Sequence, residues 1–222
     1  MISKQELLQL RAEWELDIGV IEKDYVLGWV LAAIAAEPAL AEHWIFKGGT
    51  CLRKCYYETY RFSEDLDFTV VDDGPQEPAE LTAIFGRISA WLSDQAGIEL
   101  SVDDGSFTRR RNLRGRPTTQ GRITYSGPNP QPTLPKLKLD ITSDEVLVER
   151  PVARKIVHTY SDGLPARGVR CYSLTELAAE KIRASSSEGS NGPSGPVGIA
   201  GGIVKEASGP SLAPPAFSAT TR

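Results

Sequence analysis

From Trp44 to Val70 the chain reads WIFKGGTCLRKCYYETYRFSEDLDFTV, and no other run restricts its possible folds so tightly. WIFKGG is read as a short buried strand running into the paired Gly48 and Gly49. TCLRKCYYETY then has the spacing of a short helix opening at Thr50, and SEDLDFTVV alternates strictly between polar and apolar. Alternation puts Leu66, Phe68 and Val70 on a core face of a second strand. Asp65 and Asp67 share its opposite face, about 6.5–7 Å apart. Two ionised acids so close repel one another and need a cation.

The flanking segments supply the rest of an α+β domain. Residues from about Ser3 to Ala36 are expected to be helical, with Ser3 and Glu6 as a capping box. VIEKDYVLGWVLAAIAA packs on the core, and Pro38 ends it. An amphipathic helix is expected over about 79–95, with Leu81, Ile84, Phe85, Ile88 and Leu92 inward. GIELSV, QGRITYSG and LPKLKLDIT are strand-like, and SLTELAAEKIRA starts a helix capped by Ser173. After Ala184 the chain turns to glycine, serine and proline with one aromatic. That composition predicts a disordered tail over 185–222 following a folded unit over 1–184. It is also the composition expected of an altered reading frame or gene end.

A net charge of −4 over 222 residues argues against a generally basic nucleic-acid coat. The run RRRNLRGR, with Arg109, Arg110 and Arg111, remains as a local basic hairpin or loop, suited equally to solvation or to guiding an RNA backbone. There are three cysteines, and Cys51 and Cys55 lack nearby cysteine or histidine partners, so they read as buried thiols of a reducing compartment rather than a zinc site. The charged N-terminus has no signal-like core and no stretch approaches a membrane span, so a cytoplasmic location is expected.

In KLKLDIT the alternation faces Leu137, Leu139 and Ile141 inward and Asp140 outward. If this strand neighbours the first acidic one, three acids share a sheet face, an arrangement suited to Mg²⁺. Gly48 and Gly49 allow close backbone approach, and Thr50 adds a hydroxyl at what reads as a helix start, a combination that cradles phosphate. Taken singly, each of these signals also has an ordinary structural reading.

Together, FKGGT and RFSEDLDF resemble the signature of the nucleotidyltransferase superfamily, and in detail the AbiEii-type nucleotidyltransferase toxins of type IV toxin–antitoxin systems. IEKDYVLGWVL, KLKLDIT and YSLTELAAEKIRA match as well. The resemblance implies a mixed β-sheet palm flanked by helices. It implies that Gly48, Gly49 and Thr50 contact nucleotide phosphates, that Ser63 supports the site, and that Asp65, Asp67 and Asp140 hold Mg²⁺ or Mn²⁺. Lys181 matches the lysine that meets the triphosphate. The family's helical C-terminal lobe, with its Arg-Asp-x-Tyr-Asp-type motif, is replaced by the tail, as in a truncated or frameshifted relative. The implied function is transfer of a nucleoside monophosphate from an NTP to an acceptor such as a tRNA 3′ end, with a cognate antitoxin as partner and a role in phage defence. Two alternatives stay open: an inactive remnant that retains nucleotide or antitoxin binding, and a metal-dependent phosphodiesterase.

Overall fold

The computed structural model describes residues 1–58, 61–111 and 115–188. Helix α1 (Lys4–Trp14) and helix α2 (Ile18–Ala36) replace the single N-terminal helical stretch expected from sequence. The break comes at Glu15, in the left-handed region at φ 55°, after which Asp17 caps α2 through Gly19 N at 2.8 Å. Ser3 caps α1 by accepting from Glu6 N at 3.1 Å. The Glu6 carboxylate reaches to Ser161 instead of back to Ser3, so only half of the expected capping box forms. Pro38 ends α2 and begins the one-turn α3 (Pro38–Ala41).

Strand β1 (Trp44–Lys47) runs directly into α4 (Gly48–Cys51), which opens two residues earlier than Thr50 and passes into a π turn over Leu52–Tyr56. Then follow β2 (Asp65–Val70), α5 (Pro78–Ala96), β3 (Glu99–Ser101), β4 (Phe107–Arg111), β5 (Pro117–Ser126) and β6 (Lys136–Thr142). Two short strands absent from the sequence reading, β7 (Val152–Arg154) and β8 (Val169–Cys171), precede α6 (Leu174–Glu188). The mixed sheet has the order β3-β5-β6-β2-β1-β8-β7, and β4 pairs with the N-terminal half of β5. Helix α6 continues four residues into the tail expected over 185–222, and the remainder of that tail, from 189 onward, lies outside the described residues, as do residues 112–114 inside the arginine-rich run.

Register divides the sheet into two chemically distinct faces. Trp44 and Phe46 of β1 pair with Val70 and Phe68 of β2, while Leu66 and Phe68 pair with Leu139 and Ile141 of β6. This face is buried under α2 and α5, with the Trp44 and Phe85 rings 6.2 Å apart and Trp44 and Phe68 4.8 Å apart. The predicted inward residues of α5 are all buried, whereas α2 is buried around nearly its whole circumference because it is enclosed by α1, α5 and the sheet. On the other face the same strands present Lys47, Asp65, Asp67, Thr69, Asp140 and Thr142.

Candidate active site

Parallel pairing of β2 with β6 sets Asp67 opposite Asp140, and antiparallel pairing on either side adds Lys47 of β1 and Gln120 of β5. Lys47, Asp67, Asp140 and Gln120 therefore form one row across four strands. Asp65 lies one pleat along the same face, paired with Lys138, whose Nζ is 3.6 Å from Asp65 Oδ1. The third acid expected from KLKLDIT thus stands beside the first two. The carboxylate oxygens are not drawn together as tightly as ligands around one ion. Among the described residues, the only three ligand-type side chains with donor atoms all within 4.8 Å of one another are cysteines.

Burial, then the charge of Asp140, pushes the Asp67 carboxyl up to about 7, against an opposing pull from Lys47. Gln120 donates to Asp140 Oδ1 at 2.9 Å and so orients that carboxylate. Asp65 Oδ1 is buried and accepts no hydrogen bond. With no hydrogen bond and only Lys138 Nζ at 3.6 Å, that oxygen stands beside an acid whose ionisation is resisted, and the excess negative charge is what a hard cation offsets. The donor set fits Mg²⁺ or Mn²⁺.

The Gly48-Gly49-Thr50 turn is locked onto this face. Gly48 adopts φ +78°, and a β-carbon there would lie 2.1 Å from Asp67 Oδ2, so the backbone passes directly against the carboxylate. A β-carbon on Gly49 would meet Ser63 Oγ at 3.0 Å, which places Ser63 beside the same turn. Thr50 is fully buried, and its hydroxyl donates to the Asp65 carbonyl at 2.6 Å. Its side chain pins the start of β2 to the turn, a positioning role that the sequence alone did not distinguish from phosphate contact.

The sequence leaves Lys47 open between a place near phosphate and the plain end of its strand, and gives no signal for its partners. Lys47 forms an ion pair with Glu145 and reaches Thr142 Oγ1 at 3.3 Å. Glu145 also accepts from Thr69 at 3.0 Å and Tyr172 at 3.1 Å. Burial raises the Glu145 carboxyl, but the Lys47 charge and these hydrogen bonds outweigh it and hold the group below the ordinary carboxylate range. Glu180 of α6 faces Lys47 closely enough to feel its charge, although burial keeps its carboxyl raised. Lys181, next along α6, lines a cleft of about 500 Å³ with Leu52, Tyr57, Leu174, Leu177 and Ala178. The cleft thus borders the π turn that follows Gly48–Cys51.

The three consecutive arginines do not act as one patch. Arg110 pairs with Thr118, which pairs with Thr142, placing Arg110 on the acidic face. Arg109 and Arg111 fall on the other face, where Arg109 bonds Glu77 at 2.8 Å and Arg111 donates to the Gly115 carbonyl at 2.7 Å. Exposed Arg122 and Lys138, register partners of each other, join Arg110 on the acidic side.

A mixed sheet with one face packed on helices and the other carrying strand acids beside a Gly-Gly turn has the architecture of a nucleotidyltransferase palm. Residues 29–193 match the profile of the nucleotidyl transferase AbiEii toxin family of type IV toxin–antitoxin systems, and the chain belongs to that family. Among solved structures the chain is similar to MenT4, a nucleotidyltransferase toxin from Mycobacterium tuberculosis H37Rv. Identity is 22% and the TM-score 0.44, with 73% of this chain and 51% of MenT4 covered, so the chain spans about half the length of that relative. No curated protein matches by sequence. Among the described residues, no helix is long and apolar enough to cross a membrane.

Proposed function

We propose that this chain is a metal-dependent nucleotidyltransferase toxin that transfers a nucleoside monophosphate from an NTP to a tRNA 3′ end. The observation that carries the proposal is the row Lys47–Asp67–Asp140–Gln120, with Asp65 beside it, on the polar sheet face against which Gly48 packs. Asp65, Asp67 and Asp140 would hold Mg²⁺ or Mn²⁺, which supplies charge neutralisation at the triphosphate and activation of the acceptor hydroxyl.

The chain's own residues then provide position and electrostatics. Gly48 and Gly49 let the backbone of the turn pass directly against Asp67 and Ser63, which holds the turn on the acidic face where a side chain would collide. Thr50 fixes Asp65 relative to that turn, and Gln120 fixes Asp140. Lys181, at the mouth of the adjoining cleft, is assigned to the triphosphate, and the apolar wall formed by Leu52, Tyr57 and Leu177 receives the base. Arg110, Arg122 and Lys138, exposed on the same face, are assigned to the RNA backbone.

Incubation with NTPs labelled at the α-phosphate, total tRNA and Mg²⁺ tests the proposal. Label should appear on the RNA 3′ end and vanish with EDTA or in the Asp65→Ala, Asp67→Ala double variant. Release of labelled nucleoside monophosphate without RNA labelling would replace transfer by hydrolysis, and label incorporation that survives in the double variant would remove the acids from the reaction.

A further inference from the structure

Behind the Gly-Gly turn, on the side away from the acids, the fold gathers all three of the chain's cysteines. Cys51 closes α4, Cys55 lies on the π turn, and Cys171 comes from β8, more than a hundred residues later. Their sulfurs all lie within 4.8 Å of one another, and all three residues are buried with free thiols. The expectation that Cys51 and Cys55 lack a partner therefore fails. Register places Cys171 across from Phe46 on β1, so the chain returns a third sulfur to the pair through sheet topology rather than sequence spacing.

We propose that Cys51, Cys55 and Cys171 form a three-thiolate site for a thiophilic d¹⁰ cation, Zn²⁺ in the first instance. Metal–sulfur bonds of about 2.3 Å place three ligating sulfurs about 4 Å apart, so the present cluster needs to contract by less than an ångström. Thiolates without nearby imidazole or carboxylate partners select soft ions over the Mg²⁺ class. Charge favours the divalent ion. Three thiolates around Zn²⁺ carry a net charge of −1, and Arg154, stacked 4.5 Å from the centre of the Tyr56 ring, acts electrostatically on both Cys55 and Cys171. A monovalent ion would leave a charge of −2 against the same single arginine. The Val152 carbonyl lies 3.4 Å from Cys171 Sγ and the Tyr56 hydroxyl 3.9 Å, and either offers a fourth donor.

Entry of the cation forms three metal–sulfur bonds and displaces to solvent whatever protons the thiols carry. A bound ion would tie α4 and the π turn to β8, stiffening the segment that begins at Gly48.

The test uses the full chain, reduced, stripped with EDTA and kept anaerobic, and titrated with Cd²⁺ as the spectroscopic substitute for Zn²⁺. A thiolate-to-metal charge-transfer band should saturate at one equivalent. Zn²⁺ should displace the Cd²⁺, bleaching the band, and raise the unfolding temperature. Cys55→Ser and Cys171→Ser should each lose the band, while the Asp65→Asn, Asp67→Asn variant should keep it, which separates this site from the acidic one. Should the serine variants fail to fold, the wild-type titration decides alone. Uptake of Cu⁺ against a copper(I) chelator, with Zn²⁺ refused, keeps the site and changes its ion. Absence of a band with Cd²⁺ together with refusal of Cu⁺, or a band undiminished in a folded Cys171→Ser variant, overturns the proposal.

Discussion

Replacing Asp67 by asparagine removes the carboxyl whose ionisation the fold resists. Its folded pKa of about 7 against an ordinary 3.8 is roughly a thousandfold change in acidity, equivalent to a ceiling of about 4 kcal/mol. Part of that belongs jointly to Asp140, so about 2–4 kcal/mol is the expected share. Because the folded value is the higher one, the penalty is absent below about pH 4, grows as the unfolded chain ionises, and is complete above about pH 7. In EDTA at pH 8, Asp67→Asn should therefore stabilise the chain by about 2–4 kcal/mol, raising the unfolding temperature by at least about 4 °C. At pH 4.5 the gain should shrink to about 1 kcal/mol or less, since only the interval above 3.8 contributes. Urea and thermal unfolding of both proteins, followed by far-ultraviolet circular dichroism at the two pH values, give the comparison. A gain independent of pH, or destabilisation at pH 8, would refute the reasoning that an electrostatically crowded acid face waits for a cation.

Three further perturbations separate site from scaffold. Asp24→Asn should cost about 3–5 kcal/mol in urea unfolding at pH 7, because it leaves Lys54, 2% exposed and bonded to Asp24 at 2.6 Å, as an unpaired buried charge beside Arg53. Gly48→Ala should weaken Mg²⁺-dependent NTP binding at least tenfold through the collision with Asp67 Oδ2, whereas Gly86→Ala, with open space around it, should leave binding unchanged and raise stability slightly. In RNA-binding titrations Arg110→Ala should lower the slope of log affinity against log salt by roughly 0.7–0.9, while Arg109→Ala and Arg111→Ala, on the other face, should leave it unaltered.

The parts of the fold legible in the sequence are those governed by local periodicity. Alternation located Asp65 and Asp67 on one face of β2 and Asp140 on β6, and helical spacing identified every large inward residue of α5, missing only Ala96. Pairing is what local pattern does not encode. Lys47 was ambiguous because its partner Glu145 is distant in sequence and lies in a loop with no periodic signature. Gln120 gained its role only through the register of β5 against β6. The buried pairing of Asp24 with Arg53 and Lys54 has no sequence signal, because a solvated helix face and a paired interior cluster have the same composition. The break at Glu15 was similarly hidden, although Asp17 ahead of an apolar run was a usable cap signal. The strands β7 and β8 are only three residues each, too short for alternation to register, and with them Cys171 escaped notice as the third sulfur.

Isothermal calorimetry of NTP binding to the wild-type chain and to the Asp65→Ala, Asp67→Ala variant, each in Mg²⁺ and in EDTA, bears most directly on the central claim. The acid face predicts binding by the wild type in Mg²⁺ and a large loss in EDTA, with the variant weak in both while its far-ultraviolet spectrum stays that of the folded wild type. Equal metal-dependent affinity in a folded double variant would contradict the assignment of nucleotide and cation to the face shared by Asp65, Asp67 and Asp140.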